Sequence, residues 1–202
     1  MAPGGDVTED QARSEIVTYG RLVWKRRLTS GSSGNISVRL DGGDLIVTPS
    51  ARSLYNLDAS ELVRVGADGA PCNTSQRPTS ELPLHVAAYR ARNDIGCVLH
   101  THPTFCVVWS RCGSLFPRDT VGAMESLRAA SWTPYRKNGT KELADLCARE
   151  FANGIDVVMM ERHGLSAVAS SLQEAFVQSD LAEEAARIAY FSAIAAFQGA
   201  SS

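Results

Sequence analysis

The chain has 202 residues, 44% of them hydrophobic, with 20 basic and 22 acidic residues and a formal net charge of -2. A chain of this length can bury a core without disulfides or a structural metal, so one globular domain is predicted. The balanced charge excludes a protein-wide field that would recruit nucleic acid or an anionic membrane, and we expect neither as a partner. The first ten residues lack the basic start and apolar core of a signal peptide, so a cytoplasmic location is expected.

The number and spacing of the cysteines predict that they are reduced thiols. Five are present, and they form no Cys-x-x-Cys pair. An odd number argues against a disulfide framework, and the missing motif argues against a zinc ribbon or a redox site. Cys97 and Cys106 lie near a pair of histidines in the sequence, but each has apolar neighbours, and we interpret them as buried thiols, not metal ligands.

The first half of the chain predicts a helix followed by a hairpin. Thr8 can cap the helix while Gln11 reaches back to the backbone, and residues 1–7 are expected to be disordered. An alternating run at 35–40, the Asp-Gly-Gly-Asp turn at 41–44 and a second apolar run then indicate a β-hairpin.

Helices and strands alternate through the rest of the chain. A third short strand is predicted at 62–65, and Pro83 lies in the first turn of the helix after it, where a missing N–H costs little. The other predicted elements are strands at 96–102, 155–160 and 163–168 and helices from Pro103, at 141–151 and at 172–197.

This order of elements predicts the fold class. The strands outnumber those of a simple βαβ repeat, and hairpins lie in the first half. We predict a single α/β domain over residues 8–198, with a mixed, largely antiparallel central sheet covered by helices. A doubly wound nucleotide-binding fold is not expected.

Two of the four histidines form a His-x-His pair at the end of an apolar run. On an extended strand His100 and His102 project from one face, because successive side chains alternate. His163 follows another apolar strand and precedes a glycine, which lets the backbone approach a ligand closely. Three imidazoles with an open fourth position form a catalytic zinc arrangement. For the His-x-His pair alone, hydrogen-bonded structural histidines are an equal alternative.

Six segments carry a resemblance to a known family. They are SGSSGNISVR, VTPSA, PTSELPLH, GCVLHTHP, PYRKNGTKEL and ERHGLSAV. In this order and spacing, over residues 10–195, the sequence resembles the class II aldolase/adducin family, and within it the fuculose-1-phosphate aldolase branch. The resemblance implies that residues 8–198 are a catalytic domain with the fold of that family.

The resemblance implies a metal-dependent carbon–carbon lyase. In the family, three histidines bind a zinc ion, which implies His100, His102 and His163 as ligands of one Zn2+ per subunit. A glutamate is the acid/base and can ligate zinc in the empty site, which implies Glu81; by itself this residue is typical of a helix N-terminus. The implied reaction is reversible retro-aldol cleavage of a ketose 1-phosphate to dihydroxyacetone phosphate and a short aldehyde. Zinc suits this reaction as a Lewis acid, and a carboxylate suits its proton transfers.

The resemblance also implies a subsite for the substrate phosphate in three turns. The matching residues are Gly34, Asn35, Ser50, Ala51, Thr79 and Ser80. Free backbone N–H groups and hydroxyls at a helix start suit an anion, although ordinary turn residues would show the same pattern. The family usually has glycine where this chain has Ala51, so a left-handed backbone there would be mildly unfavourable.

Tyr135 matches a family tyrosine that protonates the departing aldehyde oxygen from across a subunit boundary. The match implies a cyclic homotetramer with active sites at subunit interfaces. Arg136 and Lys137 depart from the family's Pro-Tyr-Ala-Thr-Phe-Gly-Thr and add two positive charges. His85 lies four residues after Glu81, on the same helical face, and we interpret it as a support for that carboxylate.

Three alternatives stay open at this point. Pentulose-phosphate 4-epimerases share the zinc triad but typically carry aspartate at the position of Glu81 and serine at that of Pro103. Dehydratases of the methylthioribulose-phosphate type keep the glutamate. An adducin-like interaction module would have lost the ligands, and this chain retains all of them.

Overall fold

The computed structural model describes residues 7–72 and 76–199. Residues 1–6, most of the segment predicted to be disordered, lie outside the described residues, and that prediction stays untested. Val7 packs against the core just before the first helix. Thr8 caps that helix as predicted, in a capping box with Gln11.

The strands form a single seven-stranded sheet among the described residues. They are β1 (Asn35–Arg39), β2 (Leu45–Val47), β3 (Val63–Val65), β4 (Cys97–Thr101), β5 (Ala130–Thr133), β6 (Val157–Met160) and β7 (Gly164–Ala169). Their order across the sheet is β3-β2-β1-β4-β7-β6-β5. Every neighbouring pair is antiparallel except β5 with β6, which confirms the predicted mixed, largely antiparallel sheet.

Helices cover both faces of this sheet. They are α1 (Glu9–Lys25), α2 (Leu82–Ala91), α3 (Thr104–Ser110), α4 (Val121–Glu125), α5 (Lys141–Ala152) and α6 (Leu172–Gly199). Buried residues of α1, α3, α4 and α6 share one core with one face of the sheet, whereas α2 and α5 pack on the opposite face. In residues 7–72 and 76–199, none of the helices has the length and apolar character needed to cross a bilayer.

The edge strand β5 and the short helix α4 are two elements that the sequence pattern does not predict. Three of the four β5 residues are only half-buried, so the strand has little of the apolar alternation that reveals a strand in sequence. It forms by pairing in parallel with β6, from Ala130 opposite Val157 to Thr133 opposite Met160.

The middle of the sheet brings distant segments together at one end of β4. Asn35 of β1 lies opposite His100, and His100 lies opposite Ser166 of β7. The loop between β6 and β7 turns through Arg162, whose φ of 58° lies in the left-handed region. This turn places His163 directly before β7, at the same edge of the sheet.

Candidate metal centre and active site

Four ligand side chains converge at this edge of the sheet. The ligating atoms of Glu81, His100, His102 and His163 all lie within 4.8 Å of one another. Glu81 and His100 are buried, and His102 and His163 are partly buried. The structure therefore brings together all four residues that the sequence proposes as metal ligands.

Each ligand comes from a different local feature. His100 lies on β4, and His102 follows the strand with its backbone N–H bonded to the Leu28 carbonyl at 2.8 Å. His163 closes the β6–β7 turn, and its N–H donates to the Met160 carbonyl at 3.2 Å. Glu81 immediately precedes α2, where its N–H donates to Thr79 Oγ1 at 3.3 Å.

Gly164 permits the close packing that holds the histidines together. A Cβ built there would collide with the Thr101 carbonyl oxygen and lie 3.1 Å from His102 Cδ2. The start of β7 therefore needs a residue without a side chain, so that it can lie against the end of β4. Gly164, predicted to let the backbone approach a ligand, lies against the backbone between His100 and His102.

The donor atoms of the cluster suit a cation. His100 Nδ1 lies 3.0 Å from the Leu165 carbonyl, which can only accept, so the imidazole N–H is at Nδ1. His100 Nε2 lies 2.8 Å from His102 Nε2 and 2.9 Å from Glu81 Oε2. Two imidazole nitrogens and a carboxylate oxygen this close require a proton or a metal ion between them. A divalent metal ion meets that requirement with neutral imidazoles and a carboxylate as ligands.

Two buried polar atoms of the cluster lack hydrogen bonds within the described residues. They are Glu81 Oε1 and His163 Nδ1. Glu81 Oε1 lies 3.2 Å from His163 Nε2, within ion-pair distance but without hydrogen-bonding geometry. A buried carboxylate oxygen left in this state is costly, and coordination would satisfy it.

Burial and neighbouring charge set the protonation states here. Burial raises the pKa of Glu81, but the neighbouring imidazoles of His100 and His163 outweigh it, and the pKa lies well below its ordinary value. Burial, followed by the charges of His100 and His163, lowers the pKa of His102 to about 3. The site therefore presents an ionised carboxylate and, at His102, a neutral imidazole.

The residues predicted to bind phosphate lie on segments that adjoin this cluster. Ser50 N–H donates to the Arg77 carbonyl and Thr79 N–H to the Thr48 carbonyl, each at 2.9 Å, so the turn at 50–51 lies beside the start of α2. Ser50, Ala51 and Ser80 are exposed, whereas Thr79 is buried. Gly34 has a φ of 80° and lies against the His100 carbonyl. Their role in phosphate binding stays a prediction.

The Asn35 side chain, in contrast, is hydrogen-bonded to other residues of the protein. It is only 7% exposed, and its Nδ2 donates to Glu81 Oε2 at 3.1 Å. Its Oδ1 lies 2.5 Å from His85 Nε2. Any phosphate contact from Asn35 would therefore use its backbone, unless the side chain leaves Glu81.

The model of the class II aldolase and adducin N-terminal domain family matches residues 14–190. The chain belongs to this family. A 5-deoxy-D-ribulose 1-phosphate aldolase from Bacillus thuringiensis is 33% identical to it over 184 residues, 88% of this chain and 84% of the relative. A 3-oxo-tetronate 4-phosphate decarboxylase from Escherichia coli is 28% identical over 187 residues, 90% of this chain and 87% of the relative.

A solved structure titled L-fuculose 1-phosphate aldolase has the same fold. Its sequence is 27% identical to this chain. The superposition covers 94% of this chain and 89% of the aldolase chain, with a TM-score of 0.84. These similarities confirm the predicted family and the predicted fold class. They also confirm that the chain belongs to a family of class II aldolases, which are lyases.

In this class II aldolase family member, Tyr135 does not belong to the four-residue cluster. It follows β5 with its side chain 51% exposed, and its backbone N–H donates to Glu161 Oε2 at 3.1 Å. Arg136 and Lys137 beside it are also exposed. A proton-donating role across a subunit boundary stays a prediction.

Sequence reasoning named His85 but missed Ser37 and Tyr89, which extend its hydrogen bonds. Ser37 Oγ lies 2.6 Å from His85 Nδ1 and 2.9 Å from the Tyr89 hydroxyl. A signal was available, because helical spacing places Glu81, His85 and Tyr89 on one face. Strand alternation likewise places Ser37 on the same face as Asn35.

Ala51 has a φ of 58°, so it occupies the left-handed backbone region in which the family has glycine. We expect Ala51→Gly to raise the free energy of unfolding by up to about 1 kcal/mol. The relief of about 1–2 kcal/mol of backbone strain is partly offset by the greater entropy of glycine in the unfolded chain. Urea unfolding measures the change.

Ala148, inside α5, provides the matched control for this substitution. Ala148→Gly should lower stability by about 1 kcal/mol, because a helix interior disfavours glycine. Equal destabilisation by both substitutions would contradict the strain at Ala51.

Proposed function

We propose that the chain is a zinc-dependent aldolase that reversibly cleaves a ketose 1-phosphate into dihydroxyacetone phosphate and a short aldehyde. The observation that carries the proposal is the convergence of three imidazoles and a buried carboxylate within 4.8 Å. The relatives named for the 1-phosphates of 5-deoxy-D-ribulose and L-fuculose support the substrate class.

His100, His102 and His163 would hold the ion, with Glu81 as a fourth ligand before substrate binds. Their three nitrogens and one oxygen are donors that zinc prefers. When bound, a divalent ion supplies Lewis-acid stabilisation of the negative charge that develops beside the substrate ketone. Two features of the chain prepare these donors: the Leu165 carbonyl fixes the His100 tautomer at 3.0 Å, and burial keeps His102 neutral.

Glu81 is proposed to move the proton at the reacting carbon. Its carboxylate is 4% exposed, and its lowered pKa keeps it ionised before substrate binds. Asn35 holds Oε2 at 3.1 Å, whereas Oε1 has no hydrogen bond within the described residues and is free to accept a proton. This difference between the two oxygens suits a general base that must also return the proton.

The substrate phosphate is proposed to bind beside this carboxylate. The exposed hydroxyls of Ser50 and Ser80 and the backbone of Gly34, Asn35, Ala51 and Thr79 form the proposed subsite. Tyr135 of a neighbouring subunit, in a cyclic homotetramer, is proposed to take up the proton of the hydroxyl that becomes the aldehyde oxygen in cleavage and to return it in the reverse addition. A cytoplasmic location is part of the proposal, and Cys97 and Cys106 are free buried thiols that suit it.

A second candidate reaction is decarboxylation of a 3-oxo-tetronate 4-phosphate. The Escherichia coli relative of that name, 28% identical over 90% of this chain, is the observation that favours it. Both reactions break a carbon–carbon bond next to a ketone, so the same carboxylate and metal ligands serve either. Glu81, where epimerases typically have aspartate, favours bond cleavage over epimerisation, and the intact cluster disfavours a non-catalytic adducin-like module.

A substrate panel separates these candidates. The zinc-loaded protein is incubated with several ketose 1-phosphates and with 3-oxo-tetronate 4-phosphate, and dihydroxyacetone phosphate and carbon dioxide are measured in parallel. We expect dihydroxyacetone phosphate from at least one ketose 1-phosphate. Carbon dioxide release alone would replace the aldolase proposal with the decarboxylase. No product from any substrate would refute both.

We expect about one zinc ion per chain, and its loss in His100→Ala, because two imidazoles and a carboxylate bind zinc far more weakly than the full set. Metal content is measured by elemental analysis after gel filtration. Leu99→Val is the control, because Leu99 is equally buried on the same strand but points to the opposite face. Unchanged zinc in His100→Ala would contradict the proposed ligand set.

A further inference from the structure

A continuous chain of buried side chains leads from the core to Glu81. It runs from the Tyr89 hydroxyl through Ser37 and His85 to Asn35, and the links are 2.9, 2.6 and 2.5 Å long. The last link joins Asn35 Nδ2 to Glu81 Oε2 at 3.1 Å. All five side chains are buried, with His85 and Ser37 at 0% exposure.

The donor and acceptor roles along this chain follow from the Asn35 amide, whose Nδ2 points to Glu81 and whose Oδ1 points to His85. A carboxylate only accepts, so Asn35 must turn its NH2 toward Glu81 and its Oδ1 toward His85. Oδ1 in turn only accepts, so His85 carries its proton on Nε2. His85 Nδ1 must then accept from the Ser37 hydroxyl, and Ser37 Oγ accepts from Tyr89.

We propose that His85 is a positioning residue that orients the Glu81 carboxylate through Asn35. The inference rests on the proposed function, because it concerns the carboxylate that acts there as acid/base. The Nε2–H of His85 donates to Oδ1 and so favours the amide orientation in which the Asn35 NH2 points at Glu81. The amide therefore holds Oε2 and keeps Oε1 directed at the ligand cluster.

The contacts of His85 exceed those that a histidine needs for burial in a core, because they continue through Asn35 to Glu81. A core histidine needs partners for its two nitrogens, and Ser37 and Asn35 would satisfy that need without any link to the site. Here Asn35, the partner of His85 Nε2, uses its carbonyl oxygen for His85 and its NH2 group for Glu81.

Two amide substitutions separate positioning from stability. In His85→Gln, the longer side chain can place an N–H where Nε2 was and keep the bond to Asn35. In His85→Asn, the shorter side chain reaches only toward Ser37 and leaves Asn35 free to flip. Each variant leaves one buried group without its partner, so both should lose similar amounts of stability in urea unfolding.

We expect His85→Asn to lower kcat by about 10- to 100-fold with KM within about threefold of wild type, as is typical when the partner of a ligand is lost. His85→Gln should retain most of kcat. Val86→Ala, at the next position of α2, serves as a control that loses core packing alone, and its kcat should be unchanged. Equal kcat in the two amide variants would overturn the proposal.

A second readout needs no turnover. Cobalt(II) bound in place of zinc reports on its ligands through its visible absorption, and Glu81 is among the ligands proposed before substrate binds. We expect His85→Asn to change this spectrum and His85→Gln to keep that of wild type. Identical spectra in both variants would overturn the inference. Because this measurement uses no substrate, it decides the inference even if the substrate panel refutes the aldolase proposal.

Discussion

Replacing Glu81 with glutamine is expected to lower the rate of carbon–carbon bond cleavage by about a thousandfold or more, the upper part of the range for a general acid/base. The amide preserves the shape of the side chain, and its carbonyl oxygen can still accept the Asn35 N–H now held at 3.1 Å. It cannot take up the substrate proton. The three histidines remain, so zinc content should stay near one ion per chain. The cleavage rate is measured with saturating substrate, and the zinc content is measured separately by elemental analysis.

The control for this substitution is Glu142→Gln, which removes an exposed carboxylate from the first turn of α5. It should keep wild-type activity. Retained cleavage in Glu81→Gln with full metal content would move the acid/base role to another residue. Loss of both metal and activity would instead make Glu81 a ligand that zinc requires.

The parts of the site that depend on local spacing could be predicted from sequence. Strand alternation is a local property, so His100 and His102 could be placed on one face before any tertiary contact was known. The same holds for Glu81 and His85, four residues apart at the start of α2. Capping residues such as Thr8 act within a single turn, and the first helix begins where they indicate.

The parts that depend on strand register could not be predicted in this way. The pairing of Asn35 with His100 follows from how β1 aligns with β4, and one residue of slip would turn Asn35 away from Glu81. In the sequence, Ser37 cannot be distinguished from any other polar strand residue. Its role becomes visible only when α2 places His85 and Tyr89 beside it. The resemblance to the family implies the four ligands and a phosphate contact from Asn35, and the amide of Asn35 contacts Glu81 and His85.

The edge strand β5 could not be predicted from its own residues. β5 is a strand because β6 offers it a partner, not because its own residues alternate. Tyr135 follows this strand, so the position of the proposed proton donor depends on an element that the sequence does not reveal. Its 51% exposure on a single chain leaves the ring available to a neighbouring subunit.

Tyr135→Phe is expected to lower aldehyde release by about a hundredfold, because the phenol is proposed to carry the proton of the hydroxyl that becomes the aldehyde oxygen. The proposed ring places this tyrosine in the site of the next subunit, so each site would combine Glu81 of one chain with Tyr135 of another. A head-to-tail contact of this kind builds one site per interface. Neither Glu81→Gln nor Tyr135→Phe protein should then have an intact site by itself.

Mixing the two variants tests this arrangement. Equal amounts are mixed under conditions that allow subunits to exchange, and differently tagged chains verify that they do. In a random mixture, about a quarter of the interfaces join an intact Glu81 to an intact Tyr135, so about a quarter of wild-type activity should return. The parents, treated alone in the same way, are the controls. If exchange is demonstrated and activity stays at the mean of the parents, Tyr135 either serves its own chain or has no part in catalysis.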